Sequence, residues 1–226
     1  MKIKLKTKAV KADINVFFLN EKLFKKSDAK KVLEAAKFEG KDEQLCFLHE
    51  SKTLFVGLEN FESDNLRYAA TKMIQALKKY NYVSANLEHN DSGNIQALIE
   101  GIVLGSYEFT MYKSEVKESS FKTLNIINET SCKKFDKIFN EALIIAEATN
   151  FTRSLVNTAP QEMNPSDLAK VALKLDKEQK NISTKVVMFD ELQEQNMNAI
   201  CAVGRASIHK PNLIHLHYKQ KKLNIP

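Results

Sequence analysis

Proline, glycine and cysteine are scarce in this chain of 226 residues, at four, six and three, and each shortage excludes a class of protein. Cys46, Cys132 and Cys201 are odd in number, far apart and contain no CxxC pair, whereas a disulfide framework or a thiolate metal site needs closely spaced or paired cysteines. Three buried, reduced thiols are expected instead. No Gly/Ser linker, low-complexity tract or internal repeat interrupts the chain. Apolar runs are short as well. None approaches the roughly 18 to 20 residues that cross a bilayer, and the start MKIKLKTKAVKADINVFFLN lacks a signal-peptide core and cleavage site. A cytoplasmic location without a membrane partner is expected. Also missing are a P-loop, an HExxH pair, a dinucleotide-type glycine fingerprint and a GxSxG turn.

What is present is ordinary for a globular protein: 43% of residues are hydrophobic, enough for a sizeable core. The net charge of +6 raises the question of nucleic acid, since clustered Lys and Arg gain affinity by releasing counterions from phosphate. The lysines here are dispersed, which reads as solvated helix and strand faces.

Hydrophobic periodicity gives the coarse architecture. Lys2, Lys4, Lys6 and Lys8 alternate with Ile3 and Leu5, the pattern of a half-buried edge strand whose charged face discourages further pairing. Residues 14–19 read as a more deeply buried strand. Ser27 is expected to cap a helix to Lys37, buried through Val32, Leu33, Ala35 and Ala36. Residues 44–49 and 53–58 read as two strands around a short turn. After Ser63, Leu66, Ala69, Ala70, Met73, Ile74, Leu77 and Tyr80 form one helical stripe, with Lys78 and Lys79 at its negative pole. A strand at 83–87, a helix through Ile95, Leu98, Ile99, Ile102 and Val103, and a strand at 123–127 follow. Gly101 and Gly105 suit close packing of that helix better than phosphate binding. Strands alternating with helices imply an α/β fold with a mixed or parallel sheet.

The chain turns on residues 150–165, NFTRSLVNTAPQEMNP. A helix with a stripe of Phe135, Ile138, Phe139, Ala142, Ile145, Ala146 and Thr149 ends there, because Pro160 cannot continue it. Asn164 and Pro165 then supply the cap and first position of a new helix, striped by Leu168, Val171, Ala172 and Leu175. Strands are expected at 184–189, 199–203 and 213–218, the last two paired or neighbouring around the Gly204 to Pro211 turn, with Asp190 and Gln193 opening a short helix after the first.

Site chemistry is sparse. His215 and His217, two apart on one strand face, have no third ligand nearby in sequence. His49, His89 and His209 are isolated. Ser154 has no His/Asp partners, and Glu162 and Asp167 fit as dipole partners of the helix opened by Asn164. No catalytic, cofactor-binding or metal-ligating residue is assigned.

In order and spacing, LIEGIVLGSYEFTMYKS, RSLVNTAPQEMNPSDLA, KVVMFDELQEQNMNAICAVGRAS and PNLIHLHYK together resemble the leucyl (cytosol) aminopeptidases. Ala159 before Pro160, and Arg205 and Ala206 in VGRAS, depart from that family's usual Asn-Thr-Pro and Val-Gly-Gln-Gly-Ser. The resemblance implies a macro-like N-terminal domain at 1–130, a bridging helix at 131–158 and the start of an α/β catalytic domain at 159–226.

It further implies a cytosolic homohexamer that removes N-terminal residues, leucine preferred, from peptides. Two divalent metal ions, Mn or Zn, would polarise the peptide carbonyl and supply the attacking hydroxide. The family's metal ligands and its catalytic lysine and arginine all match positions downstream of this chain, which by itself is expected to hold no metal and to be inactive. The alternative is a non-catalytic macro-like module for a nucleotide, ADP-ribose or, weakly, DNA, or a regulatory subunit. A macro-type site needs a glycine-rich loop at a strand end, for which Gly57, Gly93, Gly101 and Gly105 are the candidates, two of them within a helix.

Overall fold

The computed structural model describes residues 1–80, 82–88, 94–129 and 133–219, and the chain divides into two units, Met1–Arg153 and Ser154–Pro226. His89, Gly93 and Cys132 lie outside the described residues. The first unit contains β1 (Lys2–Lys6), β2 (Ile14–Leu19), α1 (Glu21–Lys26), α2 (Lys30–Ala35), β3 (Leu45–Leu48), β4 (Thr53–Gly57), α3 (Ser63–Lys79), β5 (Ser84–Glu88), α4 (Ile95–Gly105) and β6 (Thr123–Ile127). It also holds most of α5 (Lys133–Asn157), inside which the boundary falls.

Its six strands lie in the order β1-β6-β5-β2-β4-β3, parallel throughout except for the antiparallel pair β3 and β4. Parallel neighbours require crossovers, and α3 and α4 provide two of them. Strand alternation sends one set of side chains to each face. Ile14, Val16, Leu54, Val56, Ala85, Leu87, Leu124 and Ile126 face a large core shared with α3, α4 and α5. On the other face Phe55 and Cys46 join Phe24, Leu33 and Phe38 in a smaller core under α1 and α2. The second face carries a polar row farther along the sheet, where Lys4, Asn125, Asn86 and Asn15 stand in register on four neighbouring strands. Asn125 Nδ2 donates to Asn86 Oδ1 at 3.0 Å, and Asn86 Nδ2 to Asn15 Oδ1 at 3.2 Å and to the Val10 carbonyl at 2.7 Å. These bonds satisfy amide groups that are only 4% (Asn125) and 5% (Asn86) exposed.

The edge position of β1, with Lys2, Lys4 and Lys6 exposed, follows the alternation. Ser27 does not cap a helix to Lys37. Ser27 closes α1, which the Asn20 side chain caps at the Leu23 N–H, and α2 begins only after Ala29. Ser27 Oγ instead accepts the Ala29 N–H at 3.2 Å, a local turn that competes with helix initiation. Only Leu33 of the expected stripe is buried, and Tyr80 caps α3 from an exposed position. On α5, Phe135, Phe139, Ala142 and Ala146 are buried, whereas Ile145 is 53% exposed and Thr149 is also at the surface.

The second unit contains α6 (Pro165–Glu178), β7 (Ile182–Val187), α7 (Phe189–Glu194), α8 (Asn198–Val203) and β8 (Leu213–Tyr218). Asn164 caps α6, its Oδ1 accepting from Ser166 and Asp167 N–H. The expected strand at 199–203 is the helix α8, and β8 pairs antiparallel with β7 instead. An apolar run this short has no period to separate strand from helix; the Cys201 and Gly204 N–H groups bond back to Met197 and Ile200 carbonyls. β7 stops at Val187, so Phe189 opens α7, whose N-cap is Met188 rather than Asp190. Thr184 ties β7 to α6 through Asp176 and the Ala172 carbonyl.

Candidate functional site

The imidazoles of His215 and His217 share a face of exposed β8, with ring centres 6.3 Å apart and 11° from parallel. Lys185 stands opposite His215 in the β7 register, a cation beside any metal they would hold. Among the described residues no group of three or more His, Cys, Asp and Glu side chains could hold a metal ion. His49 stacks on Phe47, and its Nδ1 is 3.4 Å from the Tyr82 hydroxyl. His209 donates its backbone N–H to Ser207 Oγ and borders an apolar groove.

Ser154 lies within α5, and its carbonyl accepts from the Thr158 hydroxyl at 2.8 Å. Asp167, in the first turn of α6, pairs with Lys170 at 2.8 Å, and that hydrogen bond holds its carboxyl below the usual aspartate range. Cys46 is buried and free, and burial pushes its thiol up. Cys201 is free but only half-buried. A raised thiol pKa lowers the thiolate fraction, the opposite of a nucleophile's environment.

The glycines are taken up by packing. A methyl group on Gly101 would come within 2.3 Å of the Arg67 carbonyl oxygen, on Gly105 within 2.8 Å of Thr71 Cα, and on Gly57 within 2.0 Å of the Lys41 carbonyl oxygen. At all three the added carbon would meet backbone atoms at less than ordinary contact distance.

One polar arrangement among the described residues escapes sequence reading. It closes the C-terminal end of α4, where helical carbonyls lack intrahelical partners. Asn150 Nδ2 donates to the Val103 carbonyl at 2.9 Å, Arg153 Nη1 to the Leu104 carbonyl at 3.0 Å, and Lys78 Nζ to the Ser106 carbonyl at 2.9 Å. Two of the three donors are cations at the negative helix pole. Lys78 also pairs with Glu108, and the Arg153 guanidinium lies over the Tyr107 ring at 4.2 Å. Tyr107 belongs to the segment LGSYEFTMYKS and Arg153 opens RSLVNTAP, so two motifs far apart in sequence meet here. The only hint in the sequence is the spacing of Asn150 and Arg153, three apart on one helix face and bonded at 3.0 Å. This geometry fixes α5 against α4; it places no nucleophile, base or ligand set.

Comparison with known proteins supplies what the geometry leaves open. Residues 14–116 match the family described as cytosol aminopeptidase family, N-terminal domain, and residues 150–225 match cytosol aminopeptidase family, catalytic domain. A probable cytosol aminopeptidase of Campylobacter jejuni is 35% identical over 98% of this chain and 48% of its own length. One from Wolinella succinogenes is 32% identical over 94% of this chain and 46% of its own length. Among solved structures, a tomato leucine aminopeptidase mutant superposes with a TM-score of 0.82 at 19% identity, covering 99% of this chain and 52% of that one. The bottromycin maturation enzyme BotP, in complex with Mn, gives 0.79 at 21% identity, covering 94% of this chain and 46% of that one. At such identities the structures speak for the fold. The chain spans about half the length of the curated relatives it matches.

Proposed function

Because the chain belongs to the cytosol aminopeptidase family, we propose that it is the N-terminal portion of a two-metal leucyl aminopeptidase that hydrolyses N-terminal residues, leucine preferred, from peptides. The observation that carries this reading is the ordered match of both family domains to one chain that spans under half of its relatives. On this reading 1–130 is the macro-like domain, 131–158 the bridging helix and 159–226 the opening of the catalytic domain. On the same reading the metal ligands, Mn or Zn being the metals, and the catalytic residues belong to the part that follows. The enzyme is cytoplasmic and works as a homohexamer. No helix among the described residues is long and apolar enough to cross a membrane.

The test is direct. The coding sequence beyond Pro226 is expected to run on for about 250 to 300 residues, the size of a further large domain, and to bring clustered Lys, Asp and Glu. The extended protein releases leucine from a leucyl peptide when given Mn, and the 226-residue chain does not. A native stop codon after Pro226 would overturn this reading and favour the binding module. The net charge of +6 supports that second reading, and the packed glycines weigh against its nucleotide form. Its DNA form predicts duplex binding that weakens steeply with added salt.

A further inference from the structure

The opening stretch of the chain carries Lys2, Lys4, Lys6, Lys8 and Lys11 and no acid before Asp13. None of these lysines joins an ion pair among the described residues. The Asp13 carboxylate is occupied by the Val83 and Ser84 N–H groups. Lys2, Lys4 and Lys6 stand exposed on one face of β1, and Ile3 and Leu5 lie half-buried on the other. Inward from Lys4 the lysine face continues in the neutral amides of Asn125 and Asn86.

β1 closes one side of the six-stranded sheet, and among the described residues β6 is its only strand partner. The Lys2 N–H donates to the Lys122 carbonyl at 2.8 Å, and the Lys6 carbonyl accepts the Asn128 N–H at 2.8 Å. Successive residues of a strand turn their backbone groups to opposite sides, so those of Ile3 and Leu5 point to the open edge. Beside β1 lies a cavity of about 460 Å³, bounded also by α5 and the end of α4. Ile3, Val103 and Leu143 line it with carbon, and Ser106 and Glu147 with polar groups.

We propose that β1 docks an extended segment of another protein as an added strand, one whose side chains alternate between acidic and apolar. Its carboxylates pair across the strands with Lys2, Lys4 and Lys6, and its apolar side chains turn toward the cavity. The backbone groups of Ile3 and Leu5 complete the ladder. Glu147 repels a carboxylate from the cavity side, so a single facing of the segment satisfies both. Lysines on an edge deter most strands, and a second copy of β1 would set lysine against lysine, which is destabilising. The same charges select an acidic partner, so attraction and exclusion come from one set of side chains. A nucleic acid would use the charge alone, since residues 1–13 hold no aromatic ring for a base to stack on. The surface lies within Met1–Arg153 and does not depend on the aminopeptidase reading.

The test titrates the 226-residue chain, at low salt, into a labelled heptapeptide of alternating glutamate and valine and reads fluorescence anisotropy and hydrogen–deuterium exchange. Binding is expected to be at least about tenfold tighter than for a peptide of the same composition with its glutamates in one block, because only alternation sets a carboxylate opposite each lysine. Exchange at the Ile3 and Leu5 N–H groups should slow as they become bonded. Of the two forms of the peptide N-methylated at alternate residues, one should lose binding and the other keep it. Lys2→Glu, Lys4→Glu and Lys6→Glu together should weaken binding at least about tenfold and turn the preference to the lysine–valine counterpart, a gain that an unfolded edge could not give. Equal binding of the alternating and block peptides would reduce the surface to general charge attraction and overturn the proposal. Tighter binding of a single-stranded oligothymidylate, or no binding of the alternating peptide, would overturn it as well.

Discussion

Gly101 has no room for one methyl group. Helix propensity alone predicts that alanine at a helix interior stabilises by roughly 1 kcal/mol over glycine, but here the added carbon would lie 2.3 Å from backbone of α3. Overpacking of that kind costs about 1–3 kcal/mol or more, so it wins. Gly101→Ala is expected to lower the urea midpoint of unfolding, and a raised midpoint would show that α3 and α4 separate easily. Asp13 offers a second residue-scale test. Its carboxylate accepts the Val83 and Ser84 N–H groups, both at 2.9 Å, and these bonds hold its pKa below the usual aspartate value. A folded-state pKa below the unfolded one gives stability that is present above the unfolded value and is lost as pH falls through the folded one. Asp13→Asn should therefore be less stable than wild type at neutral pH, with the gap closing under acid; a gap independent of pH would refute the assignment. At this scale the sequence is partly legible. The four-residue spacing of Gly101 and Gly105 announces close packing, because it depends on one helix alone. The stacking of Arg153 on Tyr107 depends on how α4 and α5 meet, and no local pattern encodes it.

Among the elements, α6 shows how much a short signal can fix. Asn164 followed by Pro165 sets both the start and the geometry of the helix, and Asn164→Ala should cost about 1 kcal/mol through the lost cap. Urea unfolding read by a probe in the second unit would detect it, and an unchanged midpoint would mean the cap bonds are replaced by water at no cost. The strands β2, β6 and β8 are read from the sequence with their observed bounds, since each is an apolar run flanked by polar residues. In contrast, α8 reads as a strand because AICAV has no period and its neighbours decide its state. The surface position of Ile145 has a similar cause. α5 buries a narrow stripe of Phe135, Phe139, Ala142 and Ala146, so a wider apolar stripe overstates what is covered.

For the whole chain, burial is unevenly divided. Met1–Arg153 holds both core clusters, whereas Ala169, Ala172, Val187 and Leu192 are the buried apolar side chains among the described residues of Ser154–Pro226. Local stability follows buried contacts. Limited proteolysis of the 226-residue chain is expected to cut the second unit first and leave a resistant fragment near Met1–Arg153. Initial cleavage inside the six-stranded sheet would contradict the division. The α/β class and most elements of the first unit are legible from periodicity, α1 and α8 are not, and neither is the candidate site, because the residues present are arranged for packing and capping.

The in-register row of Lys4, Asn125, Asn86 and Asn15 bears on how such a sheet is assembled in time. Parallel strands come together from segments far apart in the chain, which makes their pairing slow and open to error. A slip of one residue turns each strand over and would press a carboxamide into the apolar layer, at about 1–3 kcal/mol for every unmatched amide. The row therefore works as a checksum on alignment: only when β6, β5 and β2 agree do the three amides find each other, so a slip among these strands forfeits their hydrogen bonds.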